Sequence, residues 1–329
     1  MDMVNKDGDV ILNACYEGRQ NGFQAFAFNR EEPDGECVDI MAHEFTHCLT
    51  CTTKTSNLYL NDTGAISEGM SDVLGNLIEM ATAYDEKGAW VFGENEGAIR
   101  SMKDPHAFSQ PEFVWDVYYG PAASEPSVAN DFGGVHINCS LLNIISYKLD
   151  QAGMLPEDQL YYWMNVALAL TPSTDFPQMA ELLPWCMEQA GFADYVDAVK
   201  KAVDAAGLSV TNMPDVPPTG TGFVTVEMPE KPVVDASEMR LVIRSATSKD
   251  DDSLATAWLG ANSNVVVSAV PAGDYYVFFA CFKDEDVVDR LVLTDDGWKS
   301  SKEAVPDVGK KISVVAGKTT ELPNAGLAA

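Results

Sequence analysis

The feature that most constrains the fold is a change of pattern near residue 210. Before it, from Val38 to residue 207, apolar residues recur at helical spacing, and several of these stretches end at glycine. The segment VTNMPDVPPTGTG then places three prolines and two glycines within thirteen residues, which a helix does not tolerate. After it the apolar runs are short, β-rich and separated by turn residues. The chain therefore combines a mainly helical region with a separate all-β region.

The predicted fold class is α+β, with three parts along the chain. In residues 1–210, positions 1–37 are β-rich because the runs VILNACY and FQAFAF are separated by the polar turn EGRQNG, and positions 38–210 are mainly helical. Residues 211–221 are a Pro/Gly linker. Residues 222–329 are expected to form an antiparallel sandwich of about seven strands.

Composition excludes several classes of partner. Fifty acidic and 21 basic residues give a formal charge of −29, which repels phosphate backbones and anionic lipid, so nucleic acid is excluded. No window approaches the ~18 apolar residues of a membrane span. The start MDMVNKDGDV lacks the apolar region of a signal peptide. The seven cysteines are scattered and odd in number, so we expect no disulfide framework, and we interpret the CxxC pair at Cys48 as buried or free thiols.

The motif HEFTH carries the first chemical signal. On a helix, His43 and His47 lie four residues apart on one face and can direct two ring nitrogens at one metal ion. A hydrolytic zinc site requires a third protein ligand, and Glu68, 21 residues after His47, is the best candidate. Asp72 follows on the same face of that second helix, where it can accept the free N–H of a ligating histidine.

Glu44 is predicted to be the general base. Zinc lowers the pKa of water toward ~7, and a carboxylate beside the ligands can take that proton and later deliver it to a leaving amine. Taken alone, HExxH leaves open a helix with two ordinary surface histidines. Since two of the four histidines in the chain fall in this motif, and an ExxSD helix follows it, the metal site is the favoured interpretation.

The ordered blocks HEFTH, GAISEGMSDVLGN and FGGVHIN resemble the thermolysin family of zinc metallopeptidases, and the match covers roughly residues 8 to 207. The resemblance implies that His136 is a protonated donor to the oxyanion. It further implies that Asp131 holds the other ring nitrogen and that Tyr59 is a second donor to the same oxygen. It also implies a set of substrate-binding residues, some of them forming an apolar pocket for the residue after the cleaved bond. These are Asn13, Ala14, Arg100, Ile40, Phe92 and Ile99.

Members of the family also bind calcium through carboxylates, and Asp39, Glu79 and Glu94 fall at matching positions. Ala89 stands where the family has a further acidic ligand, so the resemblance implies one calcium ion at most. A second departure is that the β-rich part which precedes the edge strand in the family is missing from this sequence. The C-terminal run VPAGDYYVFFACF resembles prealbumin-like accessory domains.

The main hypothesis is a zinc metalloendopeptidase, a hydrolase that acts on peptides or proteins and prefers a hydrophobic residue on the carboxyl side of the cut. Because the family is secreted, a secreted or cell-surface location is implied. One alternative is a zinc-binding pseudopeptidase or adhesion fragment whose β-sandwich binds an unknown partner. A second alternative is a structural two-domain protein without metal.

Overall fold

A computed structural model describes residues 14–20, 23–28, 37–53, 59–82, 89–93, 97–120, 126, 130–212, 214–226, 238–246, 253–259, 265–283, 286–301 and 309–324. The chain divides into two compact units. The first, the helical unit, comprises Met1–Val114 and Gly134–Thr211, and the second, the sandwich unit, comprises Trp115–Gly133 and Asn212–Ala329. An α+β fold with a mainly helical region followed by antiparallel sheets is thereby confirmed. Among the described residues, no helix is both long and apolar enough to cross a membrane.

Among the described residues between 38 and 206, seven α-helices account for most of the chain. They are α1 (Val38–Thr53), α2 (Asn61–Thr82), α3 (Asp131–Asn138), α4 (Ser140–Gln151), α5 (Pro156–Ala169), α6 (Phe176–Gln189) and α7 (Val196–Ala206). Local sequence explains several of their ends. Asp175 and Gln178 form a capping box at the start of α6, and Gly207 ends α7 in the left-handed conformation.

Helix α2 begins earlier than the sequence indicated. We expected Glu68 to open it, but the helix begins at Asn61, seven residues before Glu68. The run NDTG has the composition of a turn, yet Gly64 is accommodated inside the helix because its missing side chain leaves room for Val135. Glu68 therefore lies within a rigid helix and not at its frayed end.

Helices α1 and α2 lie unusually close where Gly75 faces the backbone of α1. A Cβ atom on Gly75 would lie 2.6 Å from the carbonyl oxygen of Asp39 and 3.3 Å from the amide nitrogen of His43. A side chain at this position would therefore hold the two helices apart. The close approach brings the face of α2 that carries Glu68 against the face of α1 that carries the histidines.

Two short hairpins complete the helical unit. Strands β1 (Cys15–Gln20) and β2 (Phe23–Ala27) pair antiparallel, and so do β3 (Val91–Phe92) and β4 (Arg100–Ser101). Strand β1 includes Glu17–Gln20, which we had predicted to be a turn, so only two residues separate the strands. Polar residues there are compatible with a strand because, in the described part of the chain, the hairpin is a two-stranded sheet by itself.

The sandwich unit contains nine described strands in two sheets. They are β5 (Thr221–Val226), β6 (Glu238–Ser245), β7 (Ser253–Leu259), β8 (Val265–Pro271), β9 (Gly273–Lys283), β10 (Asp286–Thr294), β11 (Gly297–Ser300), β12 (Lys311–Val314) and β13 (Thr319–Leu322). One sheet has the order β11-β10-β9-β6-β7 with β12 also paired to β9, and the other has the order β13-β5-β8. All pairs are antiparallel except β13 with β5, which is parallel.

The core of the sandwich unit includes a residue from far upstream. Val117, 6% exposed, belongs to the same buried cluster as Val224, Leu241 and Phe279, and Tyr118 packs against this cluster. The stretch 115–133 precedes α4 to α7 in the chain, so its membership in this unit could not be read from the linear order of elements. The predicted linear boundary at residues 211–221 stays a prediction.

The close approach at Gly75 makes a stability prediction. In Gly75→Ala, helix propensity favours alanine by about 1 kcal/mol, but overpacking against backbone costs about 1–3 kcal/mol. We expect a net loss of about 1–2 kcal/mol in the free energy of unfolding, measured by urea denaturation. Thr82→Ala, at an exposed position of the same helix, should change stability by less than about 0.5 kcal/mol. A Gly75→Ala protein as stable as the wild type would contradict the close approach.

Val117 makes a second prediction. Val117→Ala removes two methyl groups from the core and should destabilise the sandwich unit by about 1–2 kcal/mol. Hydrogen exchange of peptides from β9 should speed up accordingly. Val216→Ala removes the same atoms from a side chain that is 70% exposed in the same unit and serves as the matched control. Equal exchange rates in the two variants would show that residue 117 is not part of this core.

Candidate metal centre

Three side chains from α1 and α2 converge on one point. His43 and His47 lie on one face of α1, and their Nε2 atoms are 3.0 Å apart. From α2, the Oε2 atom of Glu68 lies 3.3 Å from His43 Nε2, and its Oε1 atom lies 3.2 Å from His47 Nε2. Within the part of the chain that the structure describes, these residues form the one group with the spacing of a metal site.

The three donors fit zinc. A tetrahedral zinc ion with bonds of about 2.0–2.1 Å separates its ligand atoms by about 3.3 Å, and the observed separations are 3.0–3.3 Å. Two imidazoles and one carboxylate are also the donor set of catalytic zinc sites that keep one position open. The Oε2 atom of Glu68 is buried without a hydrogen-bond partner, as expected of a ligand atom.

The charges of the three groups favour a cation between them. Burial alone would raise the pKa of Glu68, but the two histidines hold it well below its usual range. Burial alone would lower the pKa of His43, but its contacts with Asp72 and Glu68 raise it to about 10. Once both histidines are neutral, the carboxylates of Glu68 and Asp72 outnumber the one cation, Arg100, so the site is negative and a divalent cation can replace the protons.

Asp72 orients His43 from the outer side of the ring. Its Oδ1 atom lies 2.9 Å from His43 Nδ1 and also accepts a hydrogen bond from Arg100 at 2.7 Å. Asn143 donates to its Oδ2 atom at 2.9 Å. Although burial would raise the pKa of Asp72, Arg100 and His43 lower it below its usual range. Asp72 is thus a fixed acceptor that directs the other nitrogen of His43 toward the metal position.

His47 has a different outer environment. The Oγ atom of Ser71 lies 3.2 Å from His47 Nδ1, and that of Ser67 lies 3.5 Å from it. Sequence reasoning missed both serines, although Ser67 and Ser71 lie four residues apart on one helix face, and Ser71 lies three residues after Glu68. It also missed Asn143, since nothing local indicates a partner 71 residues away.

Tyr59 and His136 approach the same carboxylate from the other side. The Tyr59 hydroxyl donates a short hydrogen bond to Glu68 Oε1 and lies 3.1 Å from His136 Nε2. The His136 Nε2 atom is 3.6 Å from Glu68 Oε2, and the His136 side chain is 47% exposed. Glu44 follows His43 on α1 and is 6% exposed. The structure therefore places the Tyr59 hydroxyl and the His136 imidazole, both with access to solvent, beside the metal position.

His136 lies on α3, a helix that we did not predict. Asp131, which we expected to hold His136, is the first residue of that helix. Four consecutive residues there have positive φ, namely Asp131 (52°), Phe132 (51°), Gly133 (88°) and Gly134 (79°). Two glycines make such a turn possible, and they also hide it from sequence analysis because they indicate a loop.

The expected substrate-binding residues fall into two groups. Ile40 and Phe92 lie together in one buried cluster with Cys37, and Ala14 packs against it. Phe92 also lies under Arg100, whose guanidinium carbon is 5.6 Å from the ring centroid. Ile99 is 43% exposed, and Asn13 lies outside the described residues.

The hairpin that begins just after Asn13 is attached to α1 by aromatic contacts that sequence reasoning did not identify. Phe26 stacks on Phe45 of the HEFTH motif with ring centroids 4.3 Å apart, and Tyr16 contacts Phe26 at 5.3 Å. Phe45, which lies between Glu44 and Thr46, thus holds the hairpin beside the metal centre.

The structure gives no cluster for calcium among its described residues. The carboxylate of Asp39 accepts hydrogen bonds from the amides of Ile40 (2.7 Å) and Gly93 (2.5 Å). Glu79 is buried on α2, and Glu94 lies outside the described residues. The calcium site stays a prediction, and Asp39 has a visible role in joining α1 to the loop after β3.

Known proteins resemble this chain in the same region. Residues 56–208 match the family model described as thermolysin metallopeptidase, alpha-helical domain. A zinc metalloproteinase of Renibacterium salmoninarum is 36% identical over 162 residues, which cover 45% of this chain and 29% of that protein. An extracellular elastase of Staphylococcus epidermidis is 32% identical over 174 residues, covering 52% and 31%. The chain spans about a third of the length of the curated relatives it matches.

A solved structure shares the fold. The precursor of protealysin, a metalloproteinase from Serratia proteamaculans, aligns with a TM-score of 0.50 and 24% identity over 60% of this chain and 65% of that one. The family resemblance stated from HEFTH, GAISEGMSDVLGN and FGGVHIN is confirmed by these matches. Residues 56–208 are therefore similar to the alpha-helical domain of the thermolysin metallopeptidases.

Proposed function

We propose that the chain is a zinc-dependent endopeptidase. The observation that carries the proposal is the convergence of His43, His47 and Glu68 at 3.0–3.3 Å, with a carboxylate at Glu44 on the same helix. A structural zinc site has four protein ligands, whereas three ligands with nearby acid–base groups are typical of hydrolysis.

Zinc, when bound, supplies a Lewis acid that polarises a carbonyl group and acidifies water. The protein's own groups divide the remaining work. Glu44 accepts a proton from the attacking water and returns it to the leaving amine. His136 and Tyr59, whose polar atoms are 3.1 Å apart, are placed to donate to the oxygen that becomes negative during attack. Asp131 is assigned to support His136.

The substrates proposed are peptides or proteins. The apolar cluster of Ile40 and Phe92 beside His43, whose ring centroid is 5.4 Å from that of Phe92, supports a preference for a hydrophobic residue on the carboxyl side of the cut. Ile99 is assigned to the same apolar contact, Ala14 and Asn13 to substrate binding, and Arg100 to the substrate backbone. An extracellular location is proposed because a matched relative is an extracellular elastase.

The pseudopeptidase alternative, in which only the sandwich binds a partner, is not favoured. It requires no acid–base groups at the metal position, yet Tyr59 and His136 lie beside Glu68, and Glu44 follows His43 on the same helix. A zinc-loaded wild-type chain that binds peptides without cutting any of them would restore this alternative.

Glu44→Gln separates chemistry from metal binding. We expect cleavage of casein to fall about 10²–10⁴-fold, because the amide cannot accept the proton of water. Zinc content, measured by elemental analysis, should stay at one ion per chain because residue 44 is not a ligand. Loss of zinc together with activity would instead place Glu44 in the metal coordination sphere.

His47→Ala tests the ligand set directly. Removal of one of three ligands should abolish stoichiometric zinc after dialysis, since catalytic sites depend on all three protein ligands. His106→Ala is the matched control, because His106 is exposed on a short 3₁₀ turn and is not part of the metal cluster. If both variants retained one zinc per chain, the proposed centre would be wrong.

A further inference from the structure

The two histidine ligands have unequal support. The outer nitrogen of His43 faces the carboxylate of Asp72 at 2.9 Å, and that carboxylate is held by Arg100 and Asn143. The outer nitrogen of His47 faces only hydroxyl groups among the contacts of the described residues, at 3.2 Å (Ser71) and 3.5 Å (Ser67). The outer ring nitrogen therefore faces a neutral hydroxyl group in His47 and a charged carboxylate in His43.

The chemistry of the two acceptors differs in a way that bears on metal binding. For Nε2 to present its lone pair to a metal, Nδ1 must carry the ring proton and requires an acceptor. An ionised carboxylate can only accept, so Asp72 permits one tautomer of His43. A serine hydroxyl can accept or donate, so it permits both tautomers of His47. A hydrogen bond to a charged acceptor is also roughly twice as strong as one to a neutral acceptor.

Burial distinguishes the two serines. Ser71 is fully buried in the α1/α2 contact, so water does not compete for its hydroxyl group. Ser67 is partly exposed, its distance to His47 is longer, and it also lines a small cleft with Thr50, Thr63 and Thr174. Ser71 is thus the better placed acceptor.

We propose that Ser71 is the positioning residue of His47 and that His47 is the more weakly held of the two histidine ligands. The proposal rests on the zinc site of the proposed function, but it concerns metal affinity and ring orientation and not turnover. Ser67 adds a second, weaker contact.

The test compares zinc dissociation constants, measured by competition with a chromophoric chelator. Ser71→Ala should weaken zinc binding about tenfold, at the lower end of the 10–100-fold effect of outer hydrogen-bond partners. Ser67→Ala should have a smaller effect, and the double variant a larger one. The matched control is Ser146→Ala, another fully buried serine, which donates to Gln159 Oε1 at 2.8 Å and does not contact the metal cluster.

Two further readouts exclude a merely structural role. The melting temperature of metal-free Ser71→Ala should fall no further than that of Ser146→Ala, which also loses a buried hydrogen bond, whereas a packing role would lower that of Ser71→Ala by more. In the zinc-loaded protein, ¹⁵N NMR should show a protonated Nδ1 on His47, with faster proton exchange in Ser71→Ala than in the wild type.

The outcomes separate the two proposals. If the wild type holds one zinc and both Ser71→Ala and the double variant bind it within twofold of the wild type, Ser71 has no positioning role. If the wild type binds zinc but cuts no peptide, the endopeptidase proposal fails while the tenfold effect of Ser71→Ala still supports this inference. A wild type that binds no zinc overturns both.

Discussion

The contact between α1 and α2 is the constraint on which the site depends, because it buries charge. Asp72 is fully buried and pairs with both His43 and Arg100. Desolvation of such groups costs several kcal/mol per ion, and only good geometry offsets it. The absence of a side chain at Gly75 lets the helices approach closely enough for that geometry. A residue without a side chain thus sets the distance between the ligands on α1 and the ligand on α2.

The helical spacing of residues along the sequence was sufficient to predict the three metal ligands. Helical period places His43 and His47 on one face, and the next amphipathic stretch supplies Glu68 and Asp72 at helical spacing. The same pattern could not reveal Asn143 or Ser71, because their roles arise only when α4 and α1 pack on α2. Long, periodic helices were therefore predictable, whereas the partners that orient the ligands depend on tertiary packing.

Irregular backbone limited the prediction elsewhere. The turn at residues 131–134 has four positive φ angles, and its two glycines resemble a loop, so the short helix that carries His136 was missed. Asn61 and Gly64 concealed the true start of α2 for the same reason. In both places the residues that break the statistical pattern are those that bring Tyr59 and His136 within 3.1 Å of each other. The residues with irregular backbone are therefore the ones that position the candidate site.

The sandwich unit shows why a linear reading of domains is insufficient for this chain. Its core requires Val117, and residues 115–133 belong to the same unit as strands β5 to β13. The segment ends at Gly133, within α3, the helix that carries His136. A fragment that begins at residue 222 lacks Val117, and a fragment that ends at residue 210 lacks the strands that bury it. The burial of this one valine thus makes residues 115–133, which precede α4 to α7 in the chain, part of the β-rich unit.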